Sequence, residues 1–295
     1  MKLLVLDAYA PQGREALVGA GATAAGELYA SQLRRSAACV SRDDAAIDSK
    51  IDTEIEIAYP ADPNAKLPGG SELAEYDGAV WTGSSLTILE ADDPCVRRQV
   101  ELARELIEEA VPCFGSCWAA QLAVVAAGGR CAANPRGREF GISRQIRLNA
   151  KGRAHPLFDW KPEVFDAFTS HADEVCTLPA SGTLLASNTY SRVQAVALEH
   201  PKATFLAVQY HPEYDPHEVA ALCRLRAKEL IAQGTFADQN AADRFAEGLD
   251  ALHADGTQLE VAAELGIGPA LLDERLRTRE VENWLAHVVI PRLSS

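Results

Sequence analysis

Short, nearly unbroken apolar runs alternate along the first part of the chain with segments whose apolar residues recur every three or four positions. "KLLVLD" at the amino terminus is the kind of run a strand buried on both faces requires, and the Ala- and Leu-rich stretch that follows to Ala38 predicts a helix. "TEIEIAYPAD" and "YDGAVWTGSS" predict two further strands, each closed by turn-forming residues. Residues 93–110 show helical spacing, with Pro94 just inside the start and Asp93 placed to cap it. "VPCFG" predicts another buried strand, and the Ala-rich segment after Cys117 another helix. Strands alternating with helices predict an α/β fold: a mainly parallel central sheet flanked by helices on both faces. Ligands of such sheets bind beyond the carboxyl ends of the strands, where Cys117 and the "TGSS" loop fall.

From 140 to 209 the texture changes to short strand-like pieces, "FGISRQIRLN", "EVFDAF", "TLLASN", "VQAVALE" and "TFLAVQY", several of them expected to be antiparallel. A helical pattern over 216–233 closes this unit. Beyond Gly234 the pattern is wholly helical, so residues 1–233 are expected to form the main domain and 234–295 a docked helical extension. In that extension Leu271, Leu272, Leu276, Val281, Trp284, Leu285, Val288 and Val289 approximate a single helical face. "VAAELGIGPALLDERL" faintly suggests a helix-turn-helix but lacks the basic and amide side chains of recognition helices.

Composition narrows the class. Hydrophobic residues make up 47% of the 295 and charged residues 24%, ordinary for a globular protein with a sizeable core. A net charge of −14 disfavours nucleic acid and anionic membrane as partners. No apolar run reaches membrane length and the amino terminus lacks a signal-peptide core, so a cytoplasmic location is expected. The seven cysteines are scattered and contain no CxxC pair, which suggests neither a disulfide framework nor a zinc site, and no metal or cofactor is expected.

Cys117 sits at the strand-to-helix step of "CFGSCWAAQ". Cysteine attacks as thiolate, and helix amino termini favour that form. A sharp turn there holds a nucleophile in a strained conformation and needs small neighbours, which Gly115 and Ala119 are. The Trp118 N–H would face the oxyanion, with Gly83 or Ser84 supplying a second donor. In "FLAVQYHPEYDP", His211 follows an apolar strand with Glu213 two residues on, giving a base and the carboxylate that fixes its tautomer. His200 also precedes a proline, but it lies before its strand and has no carboxylate two positions on. Cys113 falls inside an apolar strand and reads as core.

"GSCWAAQ" and "QYHPE" closely resemble the Gly-x-Cys-x-Gly-x-Gln and His-Pro-Glu signatures of class I glutamine amidotransferases, and occur in that family's order. Segment 168–188, "FTSHADEVCTLPASGTLLASN", and segment 137–143, "GREFGIS", resemble elements of the branch related to the amidotransferase domain of GMP synthase. The likeness covers roughly residues 1–233. It implies a three-layer, flavodoxin-like fold and attack on a γ-glutamyl amide through a glutamyl thioester. In that scheme Cys117 is the nucleophile, His211 the base and acid, and Glu213 the orienter. Gln121, Ser170, His171 and Asp173 would recognise the glutamyl amino and carboxylate groups, Asp173 taking the amino group. Ala119 departs from the family's glycine, which bears on efficiency more than on reaction type. The substrate is then glutamine, with ammonia passed to a separate synthetase subunit, or a γ-glutamyl peptide or amine cleaved by a free-standing hydrolase. A silent binding protein on the same fold is the third reading. The glutaminase-type reaction is the favoured one, with the free-standing hydrolase a close competitor.

Overall fold

The computed structural model describes residues 1–43 and 51–294. Among the described residues the strands are β1 (Lys2–Leu6), β2 (Glu54–Ala58), β3 (Gly78–Trp81), β4 (Cys113–Ser116), β5 (Arg130–Ala133), β6 (Glu139–Leu148), β7 (Val164–His171), β8 (Asp173–Thr177), β9 (Gly182–Ser187), β10 (Ala195–Glu199) and β11 (Thr204–Val208). Nine of them form one sheet in the order β2-β1-β3-β4-β11-β10-β9-β6-β7. The half from β2 to β11 is parallel and the half from β11 to β7 antiparallel. β5 and β8 form a separate antiparallel pair that composition did not reveal, because β5 is largely exposed and lacks an apolar run.

Successive side chains of a strand point to opposite faces, and the uninterrupted apolar runs supply both. From β1, Leu4 and Leu6 join one core with residues of α3 (Pro94–Glu108) and α4 (Trp118–Ala126). Leu3 and Val5 join the other, with Tyr29 and Leu33 of α2 (Ala25–Asp43). As the spacing predicts, Asp93 caps α3, its side chain accepting from the Cys95 N–H at 2.7 Å. The Ala- and Leu-rich stretch after β1 is two helices, α1 (Pro11–Gly19) and α2, parted by a turn with Gly21 at positive φ.

The carboxyl-terminal residues are helical but not one continuous face. Short helices Pro269–Leu272, Glu274–Arg277 and Arg279–Trp284 break at Asp273, whose side chain accepts from the N–H groups of Arg275 and Leu276 as a new cap, and at Thr278. The breaks turn Val281, Trp284, Leu285 and Val289 onto the same core as α2, while Leu272, Leu276 and Val288 are only partly buried. Trp284 is fully buried against Phe114, ring centroids 5.9 Å apart. It lies so close over β3 that a Cβ on Gly78 would come within 2.9 Å of its ring. Glu280 anchors the segment from below. It pairs with Lys161 at 2.9 Å, the two side chains 0% and 4% exposed, and accepts a hydrogen bond from the Tyr210 hydroxyl. Among the described residues no helix is long and apolar enough to cross a membrane.

Candidate active site

β4 and β11 are parallel neighbours in a register that pairs Gly115 with Ala207 and Ser116 with Val208. Adjacent strands are about 4.8 Å apart, so the residues just beyond their ends are forced together. The Cys117 N–H donates to the Val208 carbonyl at 2.8 Å, and three residues past Val208 comes His211. Cys117 then has to reverse into α4, and it does so at φ 54°, ψ −96°, a strained conformation for a residue with a side chain. The room comes from Gly115, where a Cβ would lie 2.4 Å from the Ala119 methyl and 2.5 Å from the Trp81 carbonyl. The methyl of Ala119 is therefore stacked on the glycine two residues before the cysteine, inside the protein and outside the pocket lining.

The imidazole of His211 is fixed on several sides. Its Nδ1 meets Glu213 Oε1 at 2.7 Å, its ring stacks on Tyr214 at 3.8 Å between centroids, and its Cε1 lies over Gly83 where a Cβ would approach within 2.7 Å. Ser116 donates to the same Glu213 oxygen at 2.8 Å. With Nδ1 committed to the carboxylate, Nε2 is the nitrogen left for the thiol. Burial alone would lower the His211 pKa. The Glu213 carboxylate, together with a hydrogen bond and charge attraction from the Cys117 sulfur, reverses this and raises it to about 9. His211 therefore carries its proton at neutral pH. By contrast His200 is exposed at the turn between β10 and β11, at the opposite end of the sheet. Cys113 is wholly buried in β4, where burial pushes its thiol up.

A pocket opens over Cys117, lined by Ser84, Ser85, Leu86, Thr87, Trp118 and Gln121, by 170–173, and by Arg138 and Arg226. Of the candidate oxyanion donors, Ser84 and Trp118 line it, while Gly83 lies beneath the imidazole. Ser84 Oγ donates to the Ala8 carbonyl at 2.8 Å and Thr82 Oγ1 to the Gly83 carbonyl at 2.7 Å, which stiffens this loop. Gln121 donates to the Asp173 carbonyl at 2.9 Å, so its side chain also braces the pocket wall. Asp173 lines the pocket, one carboxylate oxygen accepting from Thr87 Oγ1 at 2.6 Å. Ser170 turns its carbonyl toward the Cys117 sulfur at 3.7 Å, and its hydroxyl is buried without a partner. The His171 ring is held from both nitrogens, by Glu139 Oε2 at 2.8 Å and the Asp173 carbonyl at 2.9 Å. Glu139 also accepts from Ser143, Asn188 and Gln194. His171 thus braces the junction between β7, which carries Ser170, and β8, which begins at Asp173.

Sequence reasoning did not single out Ser116, Thr87, Tyr214, Arg138 or Arg226. Arg138 and Thr87 stand inside or beside segments already of interest, "GREFGIS" and the "TGSS" loop. Arg226 is one of several basic residues on the helix Pro216–Ala232, and nothing in its spacing marks it.

The fold and this arrangement define a class. Residues 73–224 match the glutamine amidotransferase class-I family, and the chain belongs to it. Among characterised relatives, the chain is 35% identical over 239 residues to the gamma-glutamyl-L-1-hydroxyisopropylamide hydrolase of a Pseudomonas species, covering 80% of each chain. It is 30% identical over 136 residues to the GMP synthase of Thermomicrobium roseum, which spans 46% of this chain and 23% of that one. A glutamine amidotransferase structure from Thermotoga maritima superposes with a TM-score of 0.59 at 16% identity, over 96% of this chain and 98% of that one, a likeness of fold.

Proposed function

We infer that the protein is a free-standing γ-glutamyl amide hydrolase in which Cys117, His211 and Glu213 carry the reaction. The observation that carries this reading is the placement of Cys117, which lines the pocket, and of the hydrogen-bonded His211–Glu213 pair just past the ends of two adjacent parallel strands. In the proposed cycle the Cys117 sulfur attacks the γ-carbonyl carbon, forming the C–S bond as the carbonyl electrons move onto oxygen. Backbone N–H groups of Trp118 and the 83–84 loop stabilise that oxyanion. As the intermediate collapses the C–N bond breaks, and the departing amine takes the proton held on His211 Nε2. A water molecule, deprotonated by the same nitrogen, then attacks the thioester. Glutamate leaves, and the sulfur and the reprotonated imidazole return to their starting protonation states. Glu213, held by Ser116, keeps the imidazole in one orientation and favours its charged form.

Purified protein is expected to release amine from γ-glutamyl amines or peptides much faster than ammonia from glutamine, with no second subunit present. Rapid ammonia release from glutamine with γ-glutamyl amines and peptides untouched would return the protein to the glutaminase reading.

The raised pKa of His211 makes a further expectation concrete. The acid that protonates the leaving amine is lost as pH rises through about 9, so kcat/KM falls above that value. Glu213→Gln removes the strongest influence holding the proton, and the basic limb moves down toward the ordinary histidine value of about 6.5. The same proton contributes to stability. That contribution is complete below about pH 6.5 and is lost as pH rises to about 9, because the folded pKa lies above the unfolded one. A pH–rate profile unchanged in the variant would remove Glu213 from the scheme.

A further inference from the structure

Arg226 and Arg138 reach the active-site pocket from two different elements, the helix Pro216–Ala232 and the residue just before β6. Both side chains are only 14% exposed. They share one partner. Glu229 accepts from Arg138 Nε at 2.9 Å and lies 4.0 Å from Arg226 Nη1. Two guanidinium groups against one carboxylate leave a surplus positive charge, and the Nε of Arg226 is buried without any hydrogen-bond partner. A buried unsatisfied donor of this kind costs free energy unless a ligand completes it.

Arg226 is close to the chemistry. Burial pushes the Tyr9 hydroxyl up, and Arg226 and Cys117 then act on it with opposite sign, so one buried phenol feels both the guanidinium and the nucleophile. Tyr214, stacked on His211, feels the same pair. Asp173, a carboxylate, lines the same pocket. The chain as a whole carries a net charge of −14, a field that repels anionic substrates, so a pocket that admits a carboxylate needs local cations to offset it.

We propose that Arg226, assisted by Arg138, binds a carboxylate of the γ-glutamyl substrate. This makes the two arginines specificity determinants and γ-glutamyl compounds bearing a correctly placed carboxylate the substrate class. The proposal rests on the γ-glutamyl hydrolase reading. The carboxylate has two sources, the α-carboxylate of the glutamyl unit and that of a departing amino acid. The guanidinium fork suits either, because it presents paired N–H donors to two oxygens.

Three substrates separate the cases: γ-glutamylalanine, the γ-glutamyl amide of alaninol, and the α-methyl ester of that amide. Steady-state kinetics of wild type, Arg226→Gln and Arg138→Gln would be measured on each, with thermal melts to establish folding. If the glutamyl α-carboxylate is the ligand, Arg226→Gln raises KM about tenfold or more on the first two, changes kcat far less, and leaves the ester nearly unaffected. If the leaving group's carboxylate is the ligand, the rise is confined to γ-glutamylalanine. Either pattern supports the proposal, and Arg138→Gln follows it in weaker form and supplies the test if Arg226→Gln does not fold. A folded variant affected equally on all three substrates, or on none, overturns it. Wild-type protein that cleaves none of the three and whose Cys117 resists a glutamine-like electrophile fails earlier, at the hydrolase reading itself.

Discussion

Cys117→Ala is expected to lower turnover of a γ-glutamyl amide by about 10⁴-fold or more, since losing the nucleophile of a coupled set leaves only binding and oxyanion stabilisation. The side chain removed sits at φ 54°, a conformation alanine tolerates no better than cysteine, so the backbone strain is common to both proteins and the loss reads chemistry. Melting temperature should change little. In wild type a glutamine-like chloroketone should label Cys117 and spare Cys113, which is wholly buried in its strand. A variant retaining more than about a tenth of wild-type turnover would dismiss the thioester route. A silent binding protein would show neither labelling nor any loss of function on substitution.

The second large effect comes from a residue outside the pocket lining. Glu280→Ala is expected to destabilise the protein by about 3–5 kcal/mol, the usual cost of leaving one member of a buried ion pair alone. Burial presses Lys161 toward its neutral form, and Glu280 is the charge that opposes it, at 2.9 Å. After the substitution Lys161 keeps two carbonyl partners, Leu276 at 2.8 Å and Arg277 at 3.4 Å, but no carboxylate. The Tyr210 hydroxyl loses its acceptor as well. For a protein of this size the melting temperature should fall by roughly 10 °C. Tyr210 immediately precedes His211, so the variant should lose turnover before it unfolds. Lys161→Met in the Glu280→Ala background should recover part of the stability, because no charge is then left buried. An unaltered melting curve for the single variant would show that water reaches Lys161 and that the pair contributes little.

What could be read from sequence follows from how each feature is encoded. β1, β4 and β11 are buried on both faces and show as continuous apolar runs, so the parallel half of the sheet and the turn at Cys117 were legible. The antiparallel strands were visible as short pieces, but their order depends on long-range pairing, such as Phe140 opposite Ser170. Cys117, His211 and Glu213 stood out through residue type and position relative to strand ends. Arg226 and Ser116 did not, because a helical arginine and a small polar residue in a turn have many ordinary uses. The single-face reading of 271–289 failed at Asp273 and Thr278. The side-chain cap at Asp273 competes with helix continuation, and tertiary burial of Trp284 favours the broken path.

The seat of Trp284 over Gly78 bears on how the chain matures during translation. β1, β3 and β4 leave the ribosome long before the residues that cover this side of them, and α2 shields only part of the surface. Until Trp284 and Val289 emerge, Val80 and Phe114 lack the side chains that finally pack on them. Nascent chains stalled before this point should be protease-sensitive and sticky, and should engage holdase chaperones, even though every strand among the described residues, with Cys117, His211 and Glu213, has already been made.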